Sequence, residues 1–340
     1  MAREWETRVV PCDDEGIASA VELLSGGEAV AFPTETVYGL GADARNASAV
    51  AKIFAAKQRP ADNPLISHIV SMDQLDALAA DVSPIARDLA VAFWPGPLTL
   101  VLDMKPGALP AITTANLSTF AVRMPSHPLA RRLIEQAGFP IAAPSANASG
   151  KPSPTLARHV LEDMDGRIPL ILDGGACEVG LESTVVSVLR DGVTLLRPGG
   201  VTAEMLRAAL WNVPLRIAEG VEAPLEDGAT VRSPGMKHRH YAPKAPMVVV
   251  DGAEKLCAMY DEELERGGTP CILAPETRPF GERRCIALGE RPEHALFAAL
   301  RTADAIGATV VLFLSIPQQG VGYAVMNRAL RAAGFRREGP

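Results

Sequence analysis

Short apolar runs rich in β-branched residues alternate with amphipathic stretches along most of this chain. The alternation is interrupted once, between Asn212 and Pro246. A chain patterned this way buries its strands in a sheet covered by the intervening helices, so an α/β fold is expected. Helices are expected over Asp13–Leu24, Ala47–Ala56, Met72–Ala79, Pro84–Phe93 behind a Ser83 cap, His127–Ala137, Thr155–Asp163 and Val201–Trp211. Strands are expected over Glu28–Phe32, Leu65–Val70, Leu98–Leu102, Phe120–Arg123, Ile141–Ala143, Leu170–Leu172, Ser183–Leu189 and Val193–Leu196. Strand runs that follow one another after residue 170 point to a mixed sheet. The stretch 212–246 is rich in Pro and Gly and poor in aliphatic runs, as a linker is. Beyond it, βα alternation from Met247 onward gives a second, smaller domain of Rossmann-like type, without G-x-G-x-x-G or G-x-x-x-x-G-K-[ST]. The expected organisation is a first domain over 1–211, a linker over 212–246 and a second domain over 247–340.

Composition narrows the function classes. At 340 residues, 48% of them hydrophobic, the chain can bury a large core. A net charge of −7 argues against a surface built to grip nucleic acid, and 5% aromatic residues argue against a base-stacking platform. Five cysteines without a C-x-x-C argue against a disulfide framework and a Cys-rich zinc site, and fit a reducing cytoplasm. The N-terminal residues are charged and lack the apolar core of a secretory signal. No apolar run reaches bilayer-spanning length, so no membrane association is expected.

Four polar segments fall at expected strand ends and loops: Pro33–Leu40, Lys57–Leu65, Pro144–Lys151, and Asp173–Gly175 leading to Glu182–Thr184. Lys57 and Arg59, two apart after a helix, point to one side if the chain is extended there, and so make an anion site. Their spacing alone favours the plainer reading of a solvated helix end that complements its dipole. The small donors of the loop around Ser145 and Asn147 suit phosphate oxygens, and equally suit an ordinary turn. His68 shares a strand face with Ile66 and reads either as a satisfied core histidine or as a ligand group. Arg123 closes an apolar strand and either snorkels or points into a pocket. Neither a nucleophile–base arrangement nor a metal-ligand spacing is present in the sequence. What is left is a site that positions anions.

Taken in order, PTETVYGLG (33–41), KQRPADNPL (57–65), WPGPLTLVL (94–102), AVRMPSHPLA (121–130), APSANASGKPSPT (143–155), DGG with GLESTVV (173–186), LRPG (196–199) and SPGMKHRHYAPKAP (233–246) resemble the YrdC family in its long, two-domain form. The resemblance covers nearly the whole chain. It implies an open twisted mixed α/β sheet around a basic concavity, followed by the Rossmann-like domain. The implied activity is nucleotidyl transfer: L-threonine, bicarbonate and ATP give L-threonylcarbamoyladenylate, pyrophosphate and water, for threonylcarbamoyladenosine modification of tRNA next to the anticodon. By position, the resemblance places Lys57, Arg59 and Asn63 on the triphosphate, with Lys57 and Arg59 catalytic. It places Thr119, Ser145, Asn147, Ser153 and Arg197 on ATP, and Thr34, His68, Arg123, Ala143 and Ser183 around threonine. His238 or Tyr241 supplies the linker's contact to ATP, as part of a lid. Mg²⁺ is implied as the companion of ATP, with no tightly bound organic cofactor and no assigned metal ligands. Hand-off of the product to a threonylcarbamoyl transferase and weak or indirect tRNA contact are implied as well. The related carbamoyl adenylate-forming proteins of hydrogenase maturation carry acylphosphatase and zinc-finger motifs that this chain lacks. A plain RNA-binding module, the rival from another class, is disfavoured by charge and aromatic content.

Overall fold

Helix starts are set by local side-chain caps. Asp13 accepts from the Gly16 amide, Asn46 from Ser48 and Ala49, Ser71 from Gln74 and Ser83 from Ala86. The computed structural model describes residues 5–60, 62–189, 192–223 and 241–339. In chain order it begins with β1 (Arg8–Pro11), α1 (Asp14–Ser25), β2 (Val30–Phe32), β3 (Gly39–Asp43), α2 (Ala47–Lys57) and β4 (Ile66–His68). Next come α3 (Met72–Leu78), α4 (Pro84–Phe93), β5 (Leu98–Asp103), α5 (Ala111–Thr114), β6 (Thr119–Arg123) and α6 (Pro128–Ala137). The first unit closes with β7 (Ile141–Ala142), α7 (Ala157–Met164), β8 (Leu170–Asp173), β9 (Thr184–Leu189), β10 (Gly192–Arg197), α8 (Ala203–Leu210) and β11 (Leu215–Ile217). The second unit holds β12 (Met247–Val250), α9 (Ala253–Glu265), β13 (Pro270–Ala274), β14 (Cys285–Ala287), α10 (Pro292–Ala305), β15 (Val310–Leu314), α11 (Gly322–Ala332) and β16 (Arg337–Glu338).

The first sheet has the order β1-β8-β2-β3-β7-β4-β6-β5-β9-β10-β11 and is mixed: β4 runs parallel to β6, and β5 antiparallel to β6. The second has the order β14-β13-β15-β12-β16 and is parallel throughout. Its strands alternate sides. Val248, Val250, Ile272 and Leu312 pack under α9, while Val249, Leu273, Val311 and Phe313 pack under α10 and α11. This is the doubly covered, Rossmann-like arrangement that the run of β-branched residues predicts.

The first sheet is covered unequally. One face lies on α2, α4, α7 and α8 through Leu40, Ala42, Leu100, Val122 and Val186. On the other face, α1 and α6 cover only the β8, β2 and β7 part, through Val30, Phe32, Ile141 and Leu170. On β4, β6, β5, β9 and β10 that face carries just a small cluster: Ile66, Ala121, Val101, Val185 and Leu196. The half of the sheet that lacks its own helices is where the polar residues gather.

Two sequence expectations change. The segment expected as linker from 212 contributes β11, whose Leu215 pairs in parallel with Val193 of β10, so the first sheet extends through Ile217. The strands β1 and β3 were not expected, and β3 lies near the centre of the sheet.

Candidate active site

Register carries polar side chains onto the uncovered half-face. β4 pairs with β6 so that His68 stands opposite Arg123, and Ile66 opposite Ala121. Ser183, just before β9, hydrogen-bonds through its hydroxyl to Thr99 of β5 at 2.7 Å. The resulting pocket, open to solvent, is lined by Ile66, His68, Arg123 and Ser183 together with the Pro33–Gly39 loop, the end of α2, the Ala143–Ser149 loop, Glu182, Arg197 and Tyr241.

One end of the pocket is cationic. Lys57 is 1% exposed, and its Nζ donates to the carbonyl oxygens of Ser145 and Asn147. That amine therefore ties the end of α2 to the loop across the pocket. Asn147 shapes the same loop by donating from Nδ2 to the Ala148 and Lys151 carbonyls, and Ser145 Oγ donates to Asn147 Oδ1. Burial and the nearby Arg59 push the Lys57 pKa well down. Burial also lowers Arg59, to about 10. Arg59 donates through Nη2 to the Asn63 and Pro64 carbonyls, and its buried Nε has no partner. Burial lowers Arg197 too. Its Nε donates to the Ser183 carbonyl and its Nη2 to Ser183 Oγ. Two buried cations and the half-buried Arg59 gather at this end, where carbonyl dipoles and the charges of Glu182, Asp163 and Asp62 act on them.

The other end is charge-balanced. Arg123 meets Glu35 at 2.6 Å with both side chains under 5% exposed. The contact is an ion pair without hydrogen-bond alignment, since both Glu35 oxygens and Arg123 Nη2 lack hydrogen-bond partners. Arg123 also donates to Thr36 Oγ1 at 2.8 Å and to the Gly96 carbonyl. Burial alone would raise the Glu35 carboxyl; Arg123 overcomes this and holds it below its ordinary value. His68 is lowered to about 3, first by burial and then by the charge of Arg123, so its ring is neutral at physiological pH. Its Nδ1 sits 3.1 Å from the Ile66 carbonyl oxygen. Thr34 Oγ1 donates to the Val37 carbonyl and meets Thr36 Oγ1 at 2.8 Å.

The wall between these ends is built partly by the second unit. Glu182 lines the pocket, accepts from Ser153 Oγ and pairs with Arg328 of α11 at 2.8 Å. Tyr241 is buried in the pocket wall. It stacks on Phe297 of α10 with ring centroids 5.3 Å apart and lies beneath the Arg328 guanidinium. Gly199 is required beside it: a Cβ there would stand 2.4 Å from the Glu182 carbonyl oxygen.

A family profile described as "Telomere recombination", that of the Sua5, YciO and YrdC proteins, matches residues 22–199. Another, described as "Threonylcarbamoyl-AMP synthase, C-terminal domain", matches 201–334. The threonylcarbamoyl-AMP synthase of Bacillus subtilis is 46% identical over 95% of this chain and 94% of its own length. The chain belongs to the Sua5/YrdC family. Within the family, the threonylcarbamoyl-AMP synthase of Pyrococcus abyssi is 44% identical over 98% of this chain and 95% of its own length. The crystal structure of P. abyssi Sua5 complexed with L-threonine superposes with a TM-score of 0.92 at 42% identity, covering 99% of both chains.

Of the residues that the Sua5/YrdC resemblance singles out, Thr34, Lys57, Arg59, His68, Arg123, Ala143, Ser145, Asn147, Ser183, Arg197 and Tyr241 line one pocket. Three others stand outside the lining. Asn63 supports Arg59 through its carbonyl, Ser153 supports Glu182, and Thr119 begins β6 at a half-buried position. His238 lies outside the described residues, as does most of the expected lid. The route by which Lys57 and Arg59 converge also differs from the extended segment expected. Lys57 is the last residue of α2, and Gln58, at φ 53° in the left-handed region, turns the chain before Arg59. Glu35, Thr36, Glu182 and Arg328 were not singled out. The first three lie inside or beside the quoted motifs; Arg328, 146 residues beyond Glu182, gave no signal of its own.

Proposed function

We propose that this pocket joins L-threonine, bicarbonate and ATP into L-threonylcarbamoyladenylate. The chain is an adenylyl-transferring enzyme of the threonylcarbamoyl-AMP synthase type, as its near-full-length relatives are named. The observation that carries the site assignment is the gathering of buried Lys57, tied to the Ser145 and Asn147 carbonyls, and half-buried Arg59 in the lining of one pocket. Buried cations under mutual repulsion are costly unless a polyanion relieves them, which is what a triphosphate does.

In the first step the threonine nitrogen attacks the bicarbonate carbon. A C–N bond forms and water leaves, giving the N-carboxylate. A carboxylate oxygen then attacks the α-phosphorus of ATP, and the bond to the bridging oxygen of the β-phosphate breaks to release pyrophosphate. Lys57, Arg59 and Arg197 hold and neutralise the phosphates, with Ser145 and Asn147 shaping the cradle. Arg123 receives the threonine carboxylate at the far end, and neutral His68, Thr34, Ala143 and Ser183 form the pocket for the remainder of the amino acid. A charge of opposite sign 4 Å away contributes about 4 kcal/mol at an effective dielectric near 20, so each cation matters for both affinity and rate. Mg²⁺ enters with ATP as part of the substrate. The carboxylates nearest the pocket, Glu35 and Glu182, are already paired with arginines, and no group of three or more His, Cys, Asp or Glu side chains among the described residues is placed to hold an ion.

The same reading assigns catalysis to the first unit, extended through β11, and a lid role to the linker segment that includes Tyr241. It carries with it hand-off to a threonylcarbamoyl transferase, weak or indirect tRNA contact and a cytoplasmic location. Among the described residues no helix is long and apolar enough to cross a membrane. Pyrophosphate release from ATP tests the proposal: it is expected only when threonine and bicarbonate are both present. Equal release without threonine overturns it.

A further inference from the structure

Glu182 is the carboxylate among the described residues that line the pocket, and a polyphosphate has to bind beside it. Its charge is met from outside the first unit. Arg328, on α11, has no exposed side-chain surface, and its Nε donates to Glu182 Oε2 at 2.8 Å. The rest of the guanidinium is held in place. Nη1 donates to Asn327 Oδ1 and Nη2 to the Pro198 carbonyl, both within 2.9 Å, and the Tyr241 ring lies 5.4 Å away. Glu182 Oε1 accepts from Ser153 Oγ. Arg197, which lines the pocket itself, is the other cation acting on Glu182.

We propose that Arg328 is a positioning residue of the nucleotide site: pairing with Glu182 cancels the carboxylate charge that faces the bound phosphates and keeps Glu182 from drawing Arg197 away from them. The second unit thus takes part in ATP binding through one side chain that does not touch the nucleotide. The inference rests on the assignment of ATP to this pocket. An uncompensated buried carboxylate beside a triphosphate repels it strongly, because few screening charges reach that depth. Loss of a buried partner also leaves a charge that takes whatever cation is nearest.

The test uses the full chain, measuring ATP affinity by calorimetry and the KM values for ATP and threonine separately. Arg328→Gln is expected to raise the Kd and KM for ATP by about 10- to 100-fold, with the threonine KM changed less than about threefold. Adding Glu182→Gln to Arg328→Gln is expected to recover most of that loss, since Gln still accepts from Ser153 and brings no charge. A merely structural role for Arg328 predicts that the two losses add and that both KM values move together, and that result overturns the inference. Glu182→Gln alone leaves the buried Arg328 charge unbalanced beside the site, so ATP binding is expected to tighten. This variant decides the question should Arg328→Gln fail to fold, and weakened ATP binding by folded Glu182→Gln overturns the inference. Failure of the wild-type chain to bind ATP at all would sink the pocket assignment instead, which keeps the two readings separable.

Discussion

The two ends of the pocket solve opposite electrostatic problems. At one end buried Lys57 and Arg197 lie with half-buried Arg59, and desolvation lowers the pKa of each. At the other, Arg123 is already answered by Glu35, and His68 is neutral. The first end gathers three cations, with Glu182 the one carboxylate among its described lining residues; the second sets its one cation directly against a carboxylate. On the proposed assignment, attraction belongs to the cationic end, and orientation of a small zwitterion to the balanced end. A pocket that was cationic throughout would bind phosphates in either register, whereas the asymmetry fixes which way the reactants lie.

The contrast is most severely tested by removing charge at the first end. Lys57→Ala and Arg59→Ala are expected to lower pyrophosphate release by about 100-fold or more, with the circular dichroism spectrum unchanged. Near-normal turnover in both would dissolve the distinction. At the balanced end, Arg123→Gln strands the buried Glu35 carboxylate. It is expected to raise the threonine KM by about 10- to 100-fold and to cost roughly 3–5 kcal/mol of stability in denaturant titrations. A larger effect on the ATP KM than on the threonine KM would reverse the assignment of the ends.

Two smaller effects sharpen the comparison through protons. Burial and Arg59 depress Lys57, and bound phosphates raise it again, so ATP binding is expected to take up more protons as the pH is made more alkaline. Titration calorimetry in buffers of different ionisation heat reads this directly, and Lys57→Met should abolish it. His68 has a folded pKa of about 3 against an ordinary 6.5, so the unfolded chain takes up its proton first as pH falls. Its contribution to stability is complete above pH 6.5 and is lost progressively toward pH 3. His68→Asn is expected to flatten the fall of Tm between about pH 6.5 and 4.5, above the range where the carboxylates titrate. An unchanged slope would mean that the ring is solvated.

Most of the architecture was legible because the covered strands and helices carry their own periodicity and caps, as at Ser83 and Asp13. What was missed has physical causes. The β3 strand reads GLGAD and lacks strand propensity. Glycine is needed at Gly41, because a Cβ there would meet Ile141 and Phe32 at 2.5 and 2.6 Å. The β1 and β11 strands are short, largely exposed sheet edges with little apolar alternation. The pocket was legible where motif residues sit at strand ends, as with His68 and Arg123. Its partners were not, because Glu35 and Arg328 act across gaps of 88 and 146 residues that no local pattern encodes. Asn63 and Ser153 show the complementary limit: their motifs mark the neighbourhood of the site, but the Asn63 carbonyl and the Ser153 hydroxyl support the residues that line it.

Val37 and Leu181 belong, with Tyr241, to the apolar cluster otherwise built from the second unit's sheet and α10 and α11. Both lie within a few residues of the site: Val37 follows Thr34 and Thr36, and Leu181 precedes Ser183. Gly180, at φ 79°, lets the chain pass so near α10 that a Cβ would come within 2.6 Å of the His294 backbone. Two bodies that share a core in this way do not melt separately. Heating that loosens the second unit strips the backing from the very stretches assigned to threonine, so a scanning calorimeter should record one heat-absorption peak, and catalytic lifetime at high temperature should track the weaker of the two units rather than the first alone.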